Sequence, residues 1–277
     1  MSFELSFEFF PPKTQEGTAK LLETRQQLAL LHPKFFSVTF GAGGSTRDRT
    51  METVLGIQRD GFEAAPHISG ISSTRQDIQD MLQVYQSHGI RRLVVLRGDL
   101  PSGEVTASDF AHASDLVAYI RELSGDSFHI EVAAYPETHP EAKSALQDIQ
   151  HFKQKIDAGA NGAITQYFYN ADAYFQFVDQ CQSMGIHVPI VPGIMPIYNY
   201  TQLVRFSSVC GAEIPRWLSL RLQDFNEDAA SLRALGLEVV TNLCQRLLDG
   251  GAPGLHFYTL NQSGLISQIA GRLDLKK

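Results

Sequence analysis

The residues best suited to chemistry in this chain lie at the ends of short apolar runs. The first is Leu5-Ser6-Phe7-Glu8-Phe9-Phe10-Pro11-Pro12. Its aromatic content and alternating polarity predict a strand, with Leu5, Phe7 and Phe9 on one face and Ser6, Glu8 and Phe10 on the other. Two prolines end the ladder, because proline has no N–H to donate. A titratable carboxylate is thereby brought to a strand end, opposite the apolar face. A solvated edge strand would carry the same Glu without consequence. Further along, Arg97 and Asp99 flank Gly98 in Leu96-Arg97-Gly98-Asp99-Leu100-Pro101 and share a face. They suit a ligand that offers both phosphate and hydrogen-bond donors, and a structural salt bridge is the plain alternative. The amide of Gln166 among the aromatics of Thr165-Gln166-Tyr167-Phe168-Tyr169 suits a flat heterocycle, although aromatics in strands are usually core. Thr39 is a strand-end hydroxyl. His67 is a strand-end imidazole, as often a satisfied core residue as a ligand contact.

Other features stay open on the residues alone. Gly41-Ala42-Gly43-Gly44-Ser45-Thr46 departs from GxGxxG at its sixth position. It reads as a tight turn or as a loop that admits a ligand close to the backbone. Asp148 and Lys155 are seven apart on a predicted helix and so lie nearly on one line. By spacing alone they are two solvated surface charges.

These residues need a scaffold, and the chain supplies an alternating one. Strands are predicted at 5–10, 35–40, 63–69, 92–98, 129–136, 162–169, 188–194 and 254–260. Helices are predicted at 15–31, 48–59, 74–87, 108–123, 140–157, 171–183, 199–207 and 226–248, with a short last one. Thr138 or His139 is the expected cap of the 140–157 helix, with Pro140 in its first turn. About eight βα units in 277 residues point to an α/β fold, a single-domain (β/α)8 TIM barrel spanning 1–277, ahead of an open doubly wound sheet. In such a barrel the active-site groups gather at the C-terminal ends of the strands.

Composition sets the remaining bounds. A net charge of −7 without like-charge runs argues against general nucleic-acid or anionic-membrane binding. No stretch is long and apolar enough to span a bilayer, and Glu4 and Glu8 interrupt any signal peptide. Cys181, Cys210 and Cys244 are odd in number and far apart, which predicts a reduced, cytoplasmic setting. The nine histidines show no metal-binding spacing, so no metal is predicted.

Taken in order, several stretches resemble methylenetetrahydrofolate reductase of the bacterial single-barrel type. They are Ser6-Phe7-Glu8-Phe9-Phe10-Pro11-Pro12, Ser37-Val38-Thr39-Phe40-Gly41-Ala42, Leu96-Arg97-Gly98-Asp99-Leu100-Pro101, Ala134-Tyr135-Pro136-Glu137, His139-Pro140-Glu141-Ala142-Lys143, Asp157-Ala158-Gly159-Ala160-Asn161 and His256-Phe257-Tyr258-Thr259-Leu260-Asn261. The resemblance implies non-covalent FAD, NADH or NADPH as hydride donor with NADH favoured, and reduction of methylene- to methyl-tetrahydrofolate for methionine synthesis. It implies hydride passing first to flavin and then to folate at one site, a homo-oligomer, and no large C-terminal regulatory region of the eukaryotic kind.

The roles it carries over are specific. Glu8 resembles the general acid that protonates the bridging nitrogen of the folate; burial in a barrel disfavours the ionised form of a carboxyl and suits that task. Asp99 resembles the carboxylate beside flavin and pterin, which lowers the flavin potential and stabilises a folate cation. Thr39, Phe40, Ala42, His67, Arg97, Gly98, Asp99, Ala113, Tyr135, His139, Ala142, Asp148 and Lys155 fall at FAD-contact positions, with Arg97 and Lys155 toward the pyrophosphate. Gln166 and Phe206 resemble the residues that hold nicotinamide and pterin, and Gln202 a folate contact. The chain departs from the family at Gln262, where many bacterial members place a folate-binding arginine. It departs also at Leu222-Gln223-Asp224-Phe225-Asn226-Glu227-Asp228, and at His151 and Gln154 near the adenosine end. Two other readings remain: a barrel flavoprotein of different chemistry, such as a proline-dehydrogenase-like oxidase, and a non-catalytic flavin or folate binder.

Overall fold

The computed structural model describes residues 3–40, 44–71, 73–98, 108–225 and 227–275. The strands are β1 (Glu4–Phe9), β2 (Phe35–Val38), β3 (Ala64–Ser69), β4 (Arg92–Leu96), β5 (His129–Ala134), β6 (Gly162–Thr165), β7 (Ile190–Val191), β8 (Gly193–Ile194) and β9 (Gly254–Tyr258). They pair in parallel in the order β7-β6-β5-β4-β3-β2-β1-β9-β8. The two ends of that order, β7 and β8, are separated in the chain by Pro192 alone, so the sheet closes on itself. Pro192 has no N–H for the ladder, which splits the predicted seventh strand, and its carbonyl accepts from His256 N–H at 3.0 Å. The result is a (β/α)8 barrel with one strand in two pieces.

The helices are α1 (Gln15–Ala29), α2 (Gly44–Arg59), α3 (Arg75–Ser87), α4 (Ala113–Ser124), α5 (Ala145–Asp157), α6 (Ala171–Ser183), α7 (Tyr200–Cys210), α8 (Arg216–Asp224), α9 (Ala229–Asp249) and α10 (Gly264–Arg272). Several begin on a side-chain cap: Thr14, Thr74, Ser144, Asn170, Asn199 and Asp228 each accept from a backbone N–H of the first turn. Several predicted helices differ: the 48–59 helix starts earlier, at Gly44, and the 108–123 helix later, at Ala113. The fifth starts at Ala145 on Ser144, not at 140 on Thr138 or His139. Thr138 takes a left-handed φ of 71° and the chain turns there instead. The predicted 226–248 helix is preceded by α8, which the sequence reading passed over.

Alternation along the strands builds two cores. Outward-facing Phe7 packs on Phe36 and Phe257 with ring centroids 5.9 and 6.0 Å apart, and Phe9 stacks on Phe36 at 5.4 Å. All are buried, in the layer between sheet and helices. Inside the barrel Phe35, Ala65, Val94 and Ile164 form a small apolar disc, with Leu96 and Tyr258 against it. Near the strand starts Arg92 donates to Glu63 at 2.9 Å and to Glu131 at 2.8 Å, sealing that end. The polar residues at the strand C-termini are thus backed by a dry plug.

Candidate active site

Above the plug opens a cavity of about 870 Å³, near the upper end of the range for cofactor and small-molecule pockets. Its floor is made by strand ends. Glu8 ends the inward row of β1 and is 9% exposed. Thr39 and Phe40 follow β2, and the Thr39 backbone is tied to β1 through Phe9 O at 3.0 Å. His67 lies on β3, and Arg97 and Gly98 follow β4; all border the cavity. Gly98 has a φ of 88°, and a Cβ there would stand 2.0 Å from Ser69 Oγ. Only glycine fits, so the backbone itself forms the wall.

The β5–α5 segment makes one side. Tyr135, His139 and Ala142 line the cavity, with the Tyr135 and His139 rings edge-on at 4.5 Å. His139 accepts from Glu141 N–H through Nδ1, which makes Nε2 the N–H nitrogen of the neutral ring; burial holds its pKa below the usual imidazole value. Asp148 and Lys155 also line it. They are not solvated surface charges, as spacing alone allows. Asp148 accepts from His139 N–H at 2.8 Å and so fixes the turn. Lys155 is half-buried in the cavity wall, and its ammonium donates to Ala133 O at 2.5 Å. Burial brings its pKa down to about 8, against the attraction of Asp148.

Ala113 at the start of α4, Gln166 after β6 and Phe206 on α7 complete the predicted set found in the cavity wall. Gln166 Oε1 accepts from Tyr167 N–H, so its NH2 is the end available to a ligand. Gln202 and Gln262 lie outside the wall: the Gln202 N–H donates to the cap Asn199 Oδ1 at the start of α7, and Gln262 follows β9, its carbonyl accepting from the Tyr198 hydroxyl. Ala42 and Asp99 fall outside the described residues. Among the described residues no cluster of three or more metal-ligating side chains occurs, and no helix is long and apolar enough to cross a membrane.

Electrostatically the floor centres on Glu8. His67 Nε2 stands 3.3 Å from Glu8 Oε2 but makes no aligned hydrogen bond, and His256 Nε2 stands 3.9 Å from the same oxygen. Burial lowers the His67 pKa, outweighing the pull of Glu8, so the ring is neutral at neutral pH. At the rim Arg97 pairs with the exposed Glu141 at 2.7 Å, which holds the Glu141 carboxyl below its usual range.

The comparisons with known proteins bear on this geometry. The family model described as methylenetetrahydrofolate reductase matches residues 1–274. The chain belongs to the methylenetetrahydrofolate reductase family. Among its relatives, the 5,10-methylenetetrahydrofolate reductase of Salmonella typhimurium is 42% identical over 273 residues, covering 98% of this chain and 91% of the relative. That of Escherichia coli is 41% identical over 273 residues with the same coverage, 98% and 91%. A solved structure described as an uncharacterized Clostridium thermocellum protein that binds two copies of 5-methyl-5,6,7,8-tetrahydrofolic acid superposes with a TM-score of 0.69. It is 18% identical and covers 99% of this chain and 95% of its own, a likeness of fold.

The cavity also contains residues to which the sequence assigns no site role. Tyr258 lines it and donates to Thr165 O at 2.7 Å. Tyr167, Met195, Arg205 and Cys210 border the α7 side, and His112, Lys143 and Gln147 the α4–α5 side. Tyr258 was findable, since it shares the inward face of β9 with His256. The α7 residues were not, because no strand periodicity leads to them.

Proposed function

We propose that this protein catalyses the reduction of methylene-tetrahydrofolate to methyl-tetrahydrofolate, with FAD held non-covalently in the cavity and NADH or NADPH as the donor. The observation that carries this reading is a buried carboxyl, Glu8, at the floor of a cofactor-sized cavity in a barrel of this family.

The wall suits a dinucleotide cofactor. Lys155 and Arg97 supply cations for a pyrophosphate, the buried Lys155 being the more desolvated and Arg97 exchanging Glu141 for phosphate. Gly98 offers bare backbone where a side chain would collide. His67 offers a buried, unpartnered Nε2, and His139 a ring in the cavity wall. Held by these residues, FAD would supply the hydride-relay chemistry between reduced nicotinamide and folate. Glu8 gives its proton to the bridging nitrogen of the substrate as the bond from that nitrogen to the methylene carbon breaks. The bonding pair stays on the nitrogen, and the methylene is left as an iminium, the form that accepts hydride. Gln166 offers its NH2 and Phe206 its ring to the planar rings of donor and substrate, and Asp99 is assigned to stabilise the cation. The product would supply methyl groups for methionine synthesis, in a cytoplasmic homo-oligomer.

An anaerobic visible spectrum of the purified protein tests the reading. Flavin absorbance that bleaches with NADH and returns with methylene-tetrahydrofolate is expected. Bleaching without return, or no flavin band after FAD is added, overturns it.

A further inference from the structure

The charges of the cavity wall leave two cations without a task. Among the described residues its lysines and arginines are Arg97, Lys143, Lys155 and Arg205. Arg97 pairs with Glu141, and Lys155 is held by the Ala133 carbonyl and the attraction of Asp148. The side chains of Lys143 and Arg205 make no ion pair or hydrogen bond with another described residue. Both are exposed, so they stand at the cavity mouth. Lys143 lies in the segment between β5 and α5, and Arg205 lies on α7. These two segments adjoin. Just past α7, Glu213 donates its N–H to Glu137 Oε2 at 2.7 Å, and Gly211 packs so closely on Pro140 that a Cβ would stand 2.5 Å from its Cγ. Two unpaired cations thus occupy neighbouring walls of one mouth, in a chain of net charge −7.

We propose that Arg205 and Lys143 bind the carboxylates of the folate's glutamate tail and set a preference for substrates that carry one. A folate joins a planar ring, through an apolar benzoyl group, to a glutamate. The ring end is assigned above to Gln166 and Phe206. Arg205, Phe206 and Val209 lie on the cavity side of α7, Val209 one turn beyond Arg205. Val209 is 74% exposed although it borders the cavity, an apolar surface that a benzoyl group would cover. One helix face thus offers aromatic, apolar and cationic contacts to the three parts of the substrate. A guanidinium gives a carboxylate two parallel N–H donors. Gln202 and Gln262 lie outside the wall, and an amide brings no charge to neutralise a carboxylate. Arg97 and Lys155 are taken by the pyrophosphate of FAD. The inference rests on the proposed function and adds where the tail of its substrate lies.

Besides Glu8 at the floor, the cavity-lining acids among the described residues are Glu141 and Asp148. Asp148 is engaged by the His139 N–H. Glu141, once phosphate displaces it from Arg97, is two residues from Lys143 and competes for that ammonium. Arg205 stands on a different element and carries the larger share of the tail.

Kinetics of the FAD-loaded protein test this with two substrates: methylene-tetrahydrofolate, and its analogue in which an uncharged carboxamide replaces the glutamate. In Arg205→Gln the KM for the folate should rise about fivefold, the scale of an exposed but bidentate ion pair. Its kcat should stay within about twofold, the mark of lost uniform binding. The KM for the carboxamide should be parental. Lys143→Gln should act in the same sense and more weakly, and Arg205→Lys should recover part of the loss. Added salt should raise the folate KM of the parent more than that of the double variant. A parental folate KM in the Arg205→Gln, Lys143→Gln double variant, or an equal rise for both substrates, overturns the proposal. So does a weaker dependence of flavin reduction on NADH with the folate KM unchanged, which gives the cations to the pyrophosphate of the donor. A parent protein that never passes hydride to the folate removes the proposed function instead. Titration of the oxidised, FAD-loaded parent and double variant with methyl-tetrahydrofolate then still decides whether the two cations hold a tail.

Discussion

Asn261 grips both backbone polar groups of Phe10: its Oδ1 accepts from the Phe10 N–H at 2.9 Å and its Nδ2 donates to the Phe10 carbonyl at 3.0 Å. The side chain so continues the ladder past the ends of β1 and β9. Next to it Thr259 Oγ1 donates to the Glu8 carbonyl at 2.6 Å. To present these groups the chain takes left-handed φ values of 51° at Leu260 and 54° at Asn261, and asparagine tolerates that conformation better than most residues. The strain is local to the segment that fixes the backbone of Glu8. Asn261→Gly keeps the backbone freedom and deletes the clamp. It should cost about 1–2 kcal/mol in denaturant unfolding, because Phe10 is exposed and water replaces part of the loss. The folate step should slow more than flavin reduction does.

Glu8→Gln conserves size and removes the ionisable carboxyl. Reduction of bound FAD by NADH should proceed within about twofold of the parent, and reoxidation by methylene-tetrahydrofolate should fall by about 10²–10⁴, the range for loss of a positioned acid. Single-turnover absorbance traces separate the two steps. Equal slowing of both would show that Glu8 acts only through cofactor placement.

Lys155 links binding to stability. Its folded pKa is brought to about 8 by burial, whereas an unfolded lysine keeps its proton to about 10.4. Between those values the unfolded chain binds more protons, so the stability of the FAD-free protein should rise with pH across that window. Lys155→Met should abolish the rise, increase Tm at pH 7 in the FAD-free protein, and weaken FAD binding. Thermal melts with and without FAD at pH 7 and pH 10 check all three.

Arg92 works at the opposite end of the barrel. Its guanidinium and the Glu131 carboxyl are 5% and 6% exposed, so Arg92→Leu leaves a buried carboxylate with, among the described residues, the His129 ring at 2.9 Å as its remaining side-chain partner. A loss of about 3–5 kcal/mol is expected in urea titrations. Turnover per folded molecule should be unchanged, because that face of a barrel carries stability and the other carries function.

The scaffold was legible where periodicity is strong. The alternation of Leu5 to Phe10 gave the correct faces, and the β/α alternation gave the barrel. What escaped depends on partners distant in sequence. Nothing near Ser144 shows that it outcompetes Thr138 as the cap of α5, since the turn is decided by Asp148 bonding back to His139. Asp148 and Lys155 read as surface charges because their helix packs that line against the strand ends, a tertiary choice invisible to spacing. Gln202 and Gln262, assigned by resemblance to substrate contact, sit outside the cavity wall, whereas Tyr258 and the α7 residues Arg205 and Cys210 lie within it. The Ser6–His256 bond joins residues 250 apart, which no local pattern can show.

The seam between β1 and β9 sets an order on assembly. Glu4 to Glu8 pair with Gly254 to Tyr258, so Glu8 is framed by a strand that follows every other strand of the barrel in the chain. Until that strand docks, Glu8 lacks Thr259, Asn261 and His256, and the barrel lacks closure. Such a long-range contact is slow to form and leaves β1 an open edge while synthesis continues. A chain in which β9 has not docked therefore carries the Glu8 carboxyl without the contacts that hold its backbone in place: the first strand is finished only when its neighbour from the far end of the barrel arrives.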